Sequence, residues 1–120
     1  MKTLTITGHF GRDVETRYTP AGKLVGEVNV AVTTGYGDNK ETEWIKATFW
    51  EKSAETVKRL TRKGTKILLV GTPKVEVWKS KNGEPNARIA LTVREFEILA
   101  GFADQEEREP DENEPEFMQD

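Results

Sequence analysis

The strongest constraint on the fold is a period of two that recurs along most of the chain. Successive side chains of a strand point to opposite faces, so an apolar residue at every second position marks a sheet with one buried side. Residues 3–10 set Leu4, Ile6, Gly8 and Phe10 against Thr3, Thr5 and Thr7. Residues 24–34 set Leu24, Val28, Val30 and Val32 against Glu27, Asn29 and Thr33. The stretch TEWIKATFWEK, 42–52, sets Ile45, Ala47 and Phe49 against Trp44, Lys46, Thr48 and Trp50. Residues 65–80 put Ile67, Leu69, Val75 and Val77 on a core face, with Lys66, Thr72, Lys74, Glu76 and Trp78 on the other. In residues 86–99 the apolar positions run odd (Ala87, Ile89, Leu91, Val93) and then even (Phe96, Ile98). That switch of parity near Arg94-Glu95 predicts a bulge or bend.

Turn formers separate these runs. Pro20-Ala21-Gly22 turns the chain after VETRYT, and GYGDNKE at 35–41 reads as a loop. Lys81-Asn82-Gly83-Glu84 predicts a hairpin, because Asn-Gly suits a two-residue turn. The one helix candidate follows the third strand. Ser53 is placed to cap its start, and Ala54, Val57 and Leu60 form a narrow apolar stripe. Arg62 and Lys63 fall in its last turn and Gly64 ends it. The prediction is an all-β chain of three strands, one helix and two strands. Five long antiparallel strands suit a small barrel, which leaves no edge unpaired.

The net charge of −3 conceals an uneven distribution. Residues 103–120 hold nine acids against one arginine, a net of −8, which leaves residues 1–102 at +5. The expectation is a basic folded domain over 1–102 and an acidic, disordered tail over 103–120, because the tail has few apolar groups to bury. The chain has no cysteine and one histidine, so thiolate and histidine metal sites are not expected. It contains no phosphate-binding glycine loop, and Asp13 and Glu15 read as surface carboxylates. Neither an enzyme nor a cofactor is indicated. The opening MKTLTITGHF lacks the apolar run of a signal peptide, and no segment approaches a membrane span. An intracellular protein with no membrane association is expected.

The informative feature is what lies opposite the core stripes. Trp44 and Trp50 share a face with Lys46, with Lys52 following in register, and Trp78 shares a face with Lys74 and Lys66. Tyr36 and Lys40 lie in the neighbouring loop. Flat aromatic faces with cations between them suit single-stranded nucleic acid, whose bases stack on rings while its phosphates meet lysine and arginine. A duplex hides its base faces. A protein interface is the other destination for such rings, and the rings alone do not separate DNA from RNA.

Four segments, GHFGRDVETRYTPAGKLV (8–25), TEWIKATFWEK (42–52), LTRKGTKILLVG (60–71) and the Trp78 hairpin with Asn82-Gly83, carry a family likeness. Over about residues 3–101 the chain resembles the bacterial single-stranded DNA-binding proteins. The resemblance implies a five-stranded OB-fold barrel with its helix between strands three and four. It implies sequence-independent binding of single-stranded DNA in replication, recombination and repair, and a homotetramer. It also implies a cytoplasmic setting in a bacterial cell, with a chromosome, plasmid or phage as the source. Trp44 and Trp78 match stacking tryptophans of the family, Tyr36 a loop aromatic, and Trp50 a position where phenylalanine is usual. Lys52, Lys63 and Lys74 are similar to its phosphate contacts; Lys46, Lys66 and Arg17 join them as candidates. Three departures stand out. Val14 replaces a proline, Ile45 replaces a histidine, and Glu76 stands on the binding face where a base is expected. The tail also differs, with almost no linker and a tip reading EPEFMQD. The likeness would make Pro115 and Phe117 a docking point for replication and repair proteins. A tail of this charge would also compete with DNA at low salt.

Overall fold

The computed structural model describes residues 1–101. Its order is β1 (Leu4–Phe10), β2 (Glu15–Tyr18), β3 (Leu24–Thr34), β4 (Glu41–Trp50), α1 (Lys52–Leu60), β5 (Lys66–Lys79) and β6 (Pro85–Ala100). A turn of 3-10 helix at Gly37–Asn39 joins β3 to β4. The sheet runs β1-β5-β6-β4-β3-β2, and β1 also pairs with β3. That extra pairing closes β1, β5, β6, β4 and β3 into a five-stranded ring, an OB-fold barrel. β2 hangs from the lower half of β3 as a short hairpin partner. It is a sixth strand that the alternation did not separate from its loop. The expectation of an all-antiparallel barrel needs one correction, because β4 and β6 run parallel. Closing the ring requires a strand to meet one that is not its neighbour in sequence.

The inward stripes form one core. Phe10, Val28, Val30, Ile45, Ala47, Phe49, Ile67, Leu69 and Leu91 are all buried in it. Phe49 sits at the centre, with Phe10 and Phe96 meeting its ring edge-on at centroid distances of 6.5 and 5.7 Å. α1 plugs one end of the barrel with Ala54 and Val57. Gly26 permits the approach, since a Cβ there would lie 3.0 Å from Val14 Cγ1 and 3.4 Å from Ala54 Cβ. Two contacts pin the end of the helix to the loop after β1. Lys58 Nζ donates to the Val14 carbonyl at 2.7 Å, and the Lys63 backbone N–H donates to Asp13 Oδ1 at 2.7 Å.

The bulge in β6 lies where the parity switch placed it. Val93 pairs with Gly71 and Glu95 with Val70, so Arg94 is the extra residue. A Cβ at Gly71 would collide with the Thr92 carbonyl oxygen across this irregular step. We expect Gly71→Ala to destabilise the barrel by about 1–3 kcal/mol, as overpacking does, read as a lower urea midpoint with an unchanged slope.

Four further expectations are corrected. The helix starts at Lys52, and Ser53 lies inside it; the capping position is Glu51, at φ 54°, and its side chain makes no capping bond. The helix follows β4 directly, which leaves no room for a cap two residues later. Arg62, Lys63 and Gly64 fall beyond the helix, whose last turn carries Lys58 and Arg59. The Asn82-Gly83 turn is a three-residue loop, with Ser80 and Glu84 as its closing pair and Gly83 at φ 83°. Finally, Val75 and Val77 are 66% and 72% exposed. The β5–β6 hairpin extends past the barrel wall, so its inward-pointing side has no opposite wall to meet.

Candidate nucleic-acid interface

The outer face of β3, β4, β6 and β5 is built in rungs. Asn29 pairs with Lys46, Lys46 with Ala90, and Ala90 with Lys74. One rung toward the hairpin tip, Ala31 pairs with Trp44 on one side and Arg88 with Glu76 on the other. The next rung sets Trp78 opposite Asn86. With strands about 4.8 Å apart, Trp44 and Trp78 stand on the order of 10 Å from each other across the sheet. They are too far apart to stack on one another and are both half-buried, so each offers its own surface. An open cleft of about 440 Å³ lies beside Trp78, lined by Lys46, Lys74, Glu76, Arg88 and the two exposed valines.

A run of alternating charge crosses this face. Arg17 Nη2 donates to Glu27 Oε1 at 3.1 Å. Lys46 Nζ lies 3.1 Å from Glu27 Oε2 and 3.5 Å from Glu76 Oε1. Arg88 Nε donates to Glu76 Oε1 at 2.9 Å. The same guanidinium lies over the Trp78 ring, 4.9 Å from its centroid, in cation–π contact. The Lys46 and Arg88 side chains are only 15% and 11% exposed. Glu27 and Asn29 are buried although they point away from the core, and the Glu27 carboxylate is held between Arg17 and Lys46. Burial alone would raise the Glu76 pKa. The Arg88 hydrogen bond and the Lys46 and Arg88 charges outweigh it and hold the carboxyl below its ordinary value.

The structure divides the residues singled out from sequence. Trp44, Trp78, Lys46 and Lys74 share this face, and Arg17 joins it through Glu27. Trp50 is on the same side of β4, in register with the buried Val25 on β3. Tyr36 is 90% exposed in the loop between β3 and β4. Lys52, Lys63 and Lys66 are elsewhere. Lys52 opens α1 and is exposed, Lys63 follows the helix, and Lys66 begins β5 in register with His9. Eight residues of strand separate Lys66 from Lys74, about 26 Å. Pro115 and Phe117, with the rest of the tail, lie outside the described residues. Arg88 was missed. Its clue was present, since it alternates with Ala87 and Ile89, but a two-residue turn would set Ile89 opposite Glu76.

Aromatic surfaces beside a cleft carrying lysine and arginine, on a five-stranded ring plugged by a helix, invite comparison with known proteins. A sequence model of the single-strand binding protein family matches residues 1–99. The chain belongs to this family. Similar curated relatives are named single-stranded DNA-binding protein. That of Paenarthrobacter aurescens is 32% identical over 101 residues, covering 78% of this chain and 59% of the relative. That of Deinococcus radiodurans is 33% identical over 105 residues, covering 83% and 35%. That of Chlamydia muridarum is 27% identical over 107 residues, covering 89% and 68%. The chain thus spans about three-fifths of the first relative's length and a third of the second's. Among the described residues no helix is long and apolar enough to cross a membrane. Nor does any group of three or more His, Cys, Asp or Glu among them suit a metal.

Proposed function

We propose that this protein binds single-stranded DNA without regard to sequence, by stacking bases on Trp44 and Trp78. The observation that carries this reading is the pairing of two half-exposed tryptophans with a lysine- and arginine-lined cleft on one sheet face, in a chain of this family. Lys74 and Lys46 meet phosphates near the rings, and Arg17 meets them at the β2 edge. Trp50 and Tyr36 extend the stacking surface toward the helix end and over the loop. Lys52, Lys63 and Lys66 serve a strand that continues around the barrel. The family also supports action in replication, recombination and repair, without catalysis, as a cytoplasmic homotetramer. The acidic tail over 103–120, with Pro115 and Phe117, serves partner proteins.

Titration with oligo-dT, oligo-U and duplex DNA tests this. Tryptophan fluorescence should quench on oligo-dT, and duplex should leave it unchanged. Affinity should fall as salt rises, by about 0.7 in log K per decade for each phosphate neutralised. A folded protein that shows no quenching overturns the proposal. Quenching with no salt dependence would keep the rings as the site and remove Lys46, Lys74 and Arg17 as phosphate contacts.

A further inference from the structure

The charge run across the binding face has a consequence for how it meets a polyanion. Arg17, Lys46 and Arg88 carry three positive charges there, and Glu27 and Glu76 carry two negative ones. Glu76 is the hinge of the arrangement, because its Oε1 contacts both Lys46 and Arg88. Arg88 is held by neighbours on two sides, its Nε bonding Glu76 and its plane lying over Trp78, while its Nη1 is buried with no hydrogen-bond partner in the protein. This guanidinium is withdrawn from the surface rather than displayed to solvent.

We propose that Glu76, assisted by Glu27, is an internal counterion of the binding face. It occupies Lys46 and Arg88 in the free protein, so that phosphate reaches them only by exchange with a carboxylate. This rests on the reading of the face as a single-stranded DNA site. Binding a strand to displayed lysines releases condensed salt ions, and that release makes affinity steep in salt. Exchange against a tethered carboxylate lowers the net release, because the freed carboxylate attracts a cation in its turn. The face therefore draws less of its affinity from phosphates and more from stacked bases. It discriminates between a polyanion with bases, which gains the tryptophan contacts, and one without them, which gains little. Lys74, on the same rung as Lys46, is left as the displayed cation beside the cleft. The acid acts through Lys46 and Arg88, so it is a tuning residue rather than a contact.

The test compares oligo-dT affinity over one decade of salt for the full-length protein, Glu76→Gln, and Glu97→Gln. Glu97 is exposed near the other end of β6, so its loss changes net charge equally without touching the network. Gln keeps the size of Glu76 and its ability to accept from Arg88. Glu76→Gln should steepen the salt slope by about 0.7, the equivalent of one more phosphate. Its advantage over the parent should shrink about fivefold per decade of salt, while the amplitude of tryptophan quenching stays the same. Glu97→Gln should follow the parent. An unchanged slope in Glu76→Gln overturns the inference, as does an equal change in both variants. Weaker binding by Glu76→Gln with a parental slope also overturns it, and makes Glu76 a support for Arg88. If Glu76→Gln does not fold, Glu76→Thr, well suited to a strand, takes its place with the same criteria. Binding by the parent with no slope change in the variant defeats this inference alone. Failure of the folded parent to bind oligo-dT defeats both this and the proposed function.

Discussion

Alanine at Trp44 or Trp78 should weaken oligo-dT binding by about 1–3 kcal/mol each, a loss of roughly 5- to 150-fold. The barrel should stay intact in both. Each ring lies on the outer face of a strand held by main-chain pairing: β3 and β6 flank β4, and Trp78 pairs with Asn86 across the hairpin. The two variants should differ in one respect. Removing Trp78 also takes away the ring beneath Arg88, so its loss perturbs the charge run, whereas removing Trp44 does not. Fluorescence from the remaining tryptophans gives the affinities, and circular dichroism gives the fold. A variant that unfolds would place its ring in the core and remove it from the site.

Phe49→Ala on the same strand should do the reverse. Phe49 is fully buried, with Phe10 and Phe96 packed edge-on against it. Truncating a buried phenylalanine costs about 3–5 kcal/mol, from lost burial and the cavity left behind. Against a typical domain stability of about 5–15 kcal/mol, that is a large share. The urea midpoint should fall sharply, and whatever fraction stays folded should bind oligo-dT with nearly parental affinity. Thus residues 44 and 49 separate binding from stability within one strand. A loss of stability under 1 kcal/mol would contradict the central position of Phe49.

This separation is what the sequence showed best. Ile45, Ala47 and Phe49 are buried, and Trp44, Lys46 and Trp50 lie opposite them. Alternation is a local property, decided by backbone geometry within a few residues. The bulge at Arg94 was legible for the same reason, since an inserted residue flips the parity of everything after it. Val75 and Val77 misled because alternation tells which side is apolar, and not whether a wall stands opposite. The parallel join of β4 to β6 depends on partners some forty residues apart, which no local pattern encodes. The network around Glu76 was hidden for a compound reason. Its members come from β2, β3, β4, β5 and β6, and pairing Glu76 with Arg88 depends on a hairpin loop of three residues rather than two.

The parallel join also links recognition to the order of folding. The rung that carries Lys46, Ala90 and Lys74 spans β4, β6 and β5, so it comes into being only when β4 meets β6. Contacts that bridge long stretches of chain form late and slowly, because the loop entropy must be overcome first. A half-assembled barrel can hold the β3–β4 hairpin with Trp44 in place and still lack the opposite half of the cleft. A strand of nucleic acid that grips both halves would therefore act as a clasp on this seam. By mass action it favours the shut ring over every open form. A seam whose partners stand some forty residues apart in sequence is thus the one that such a ligand would hold closed.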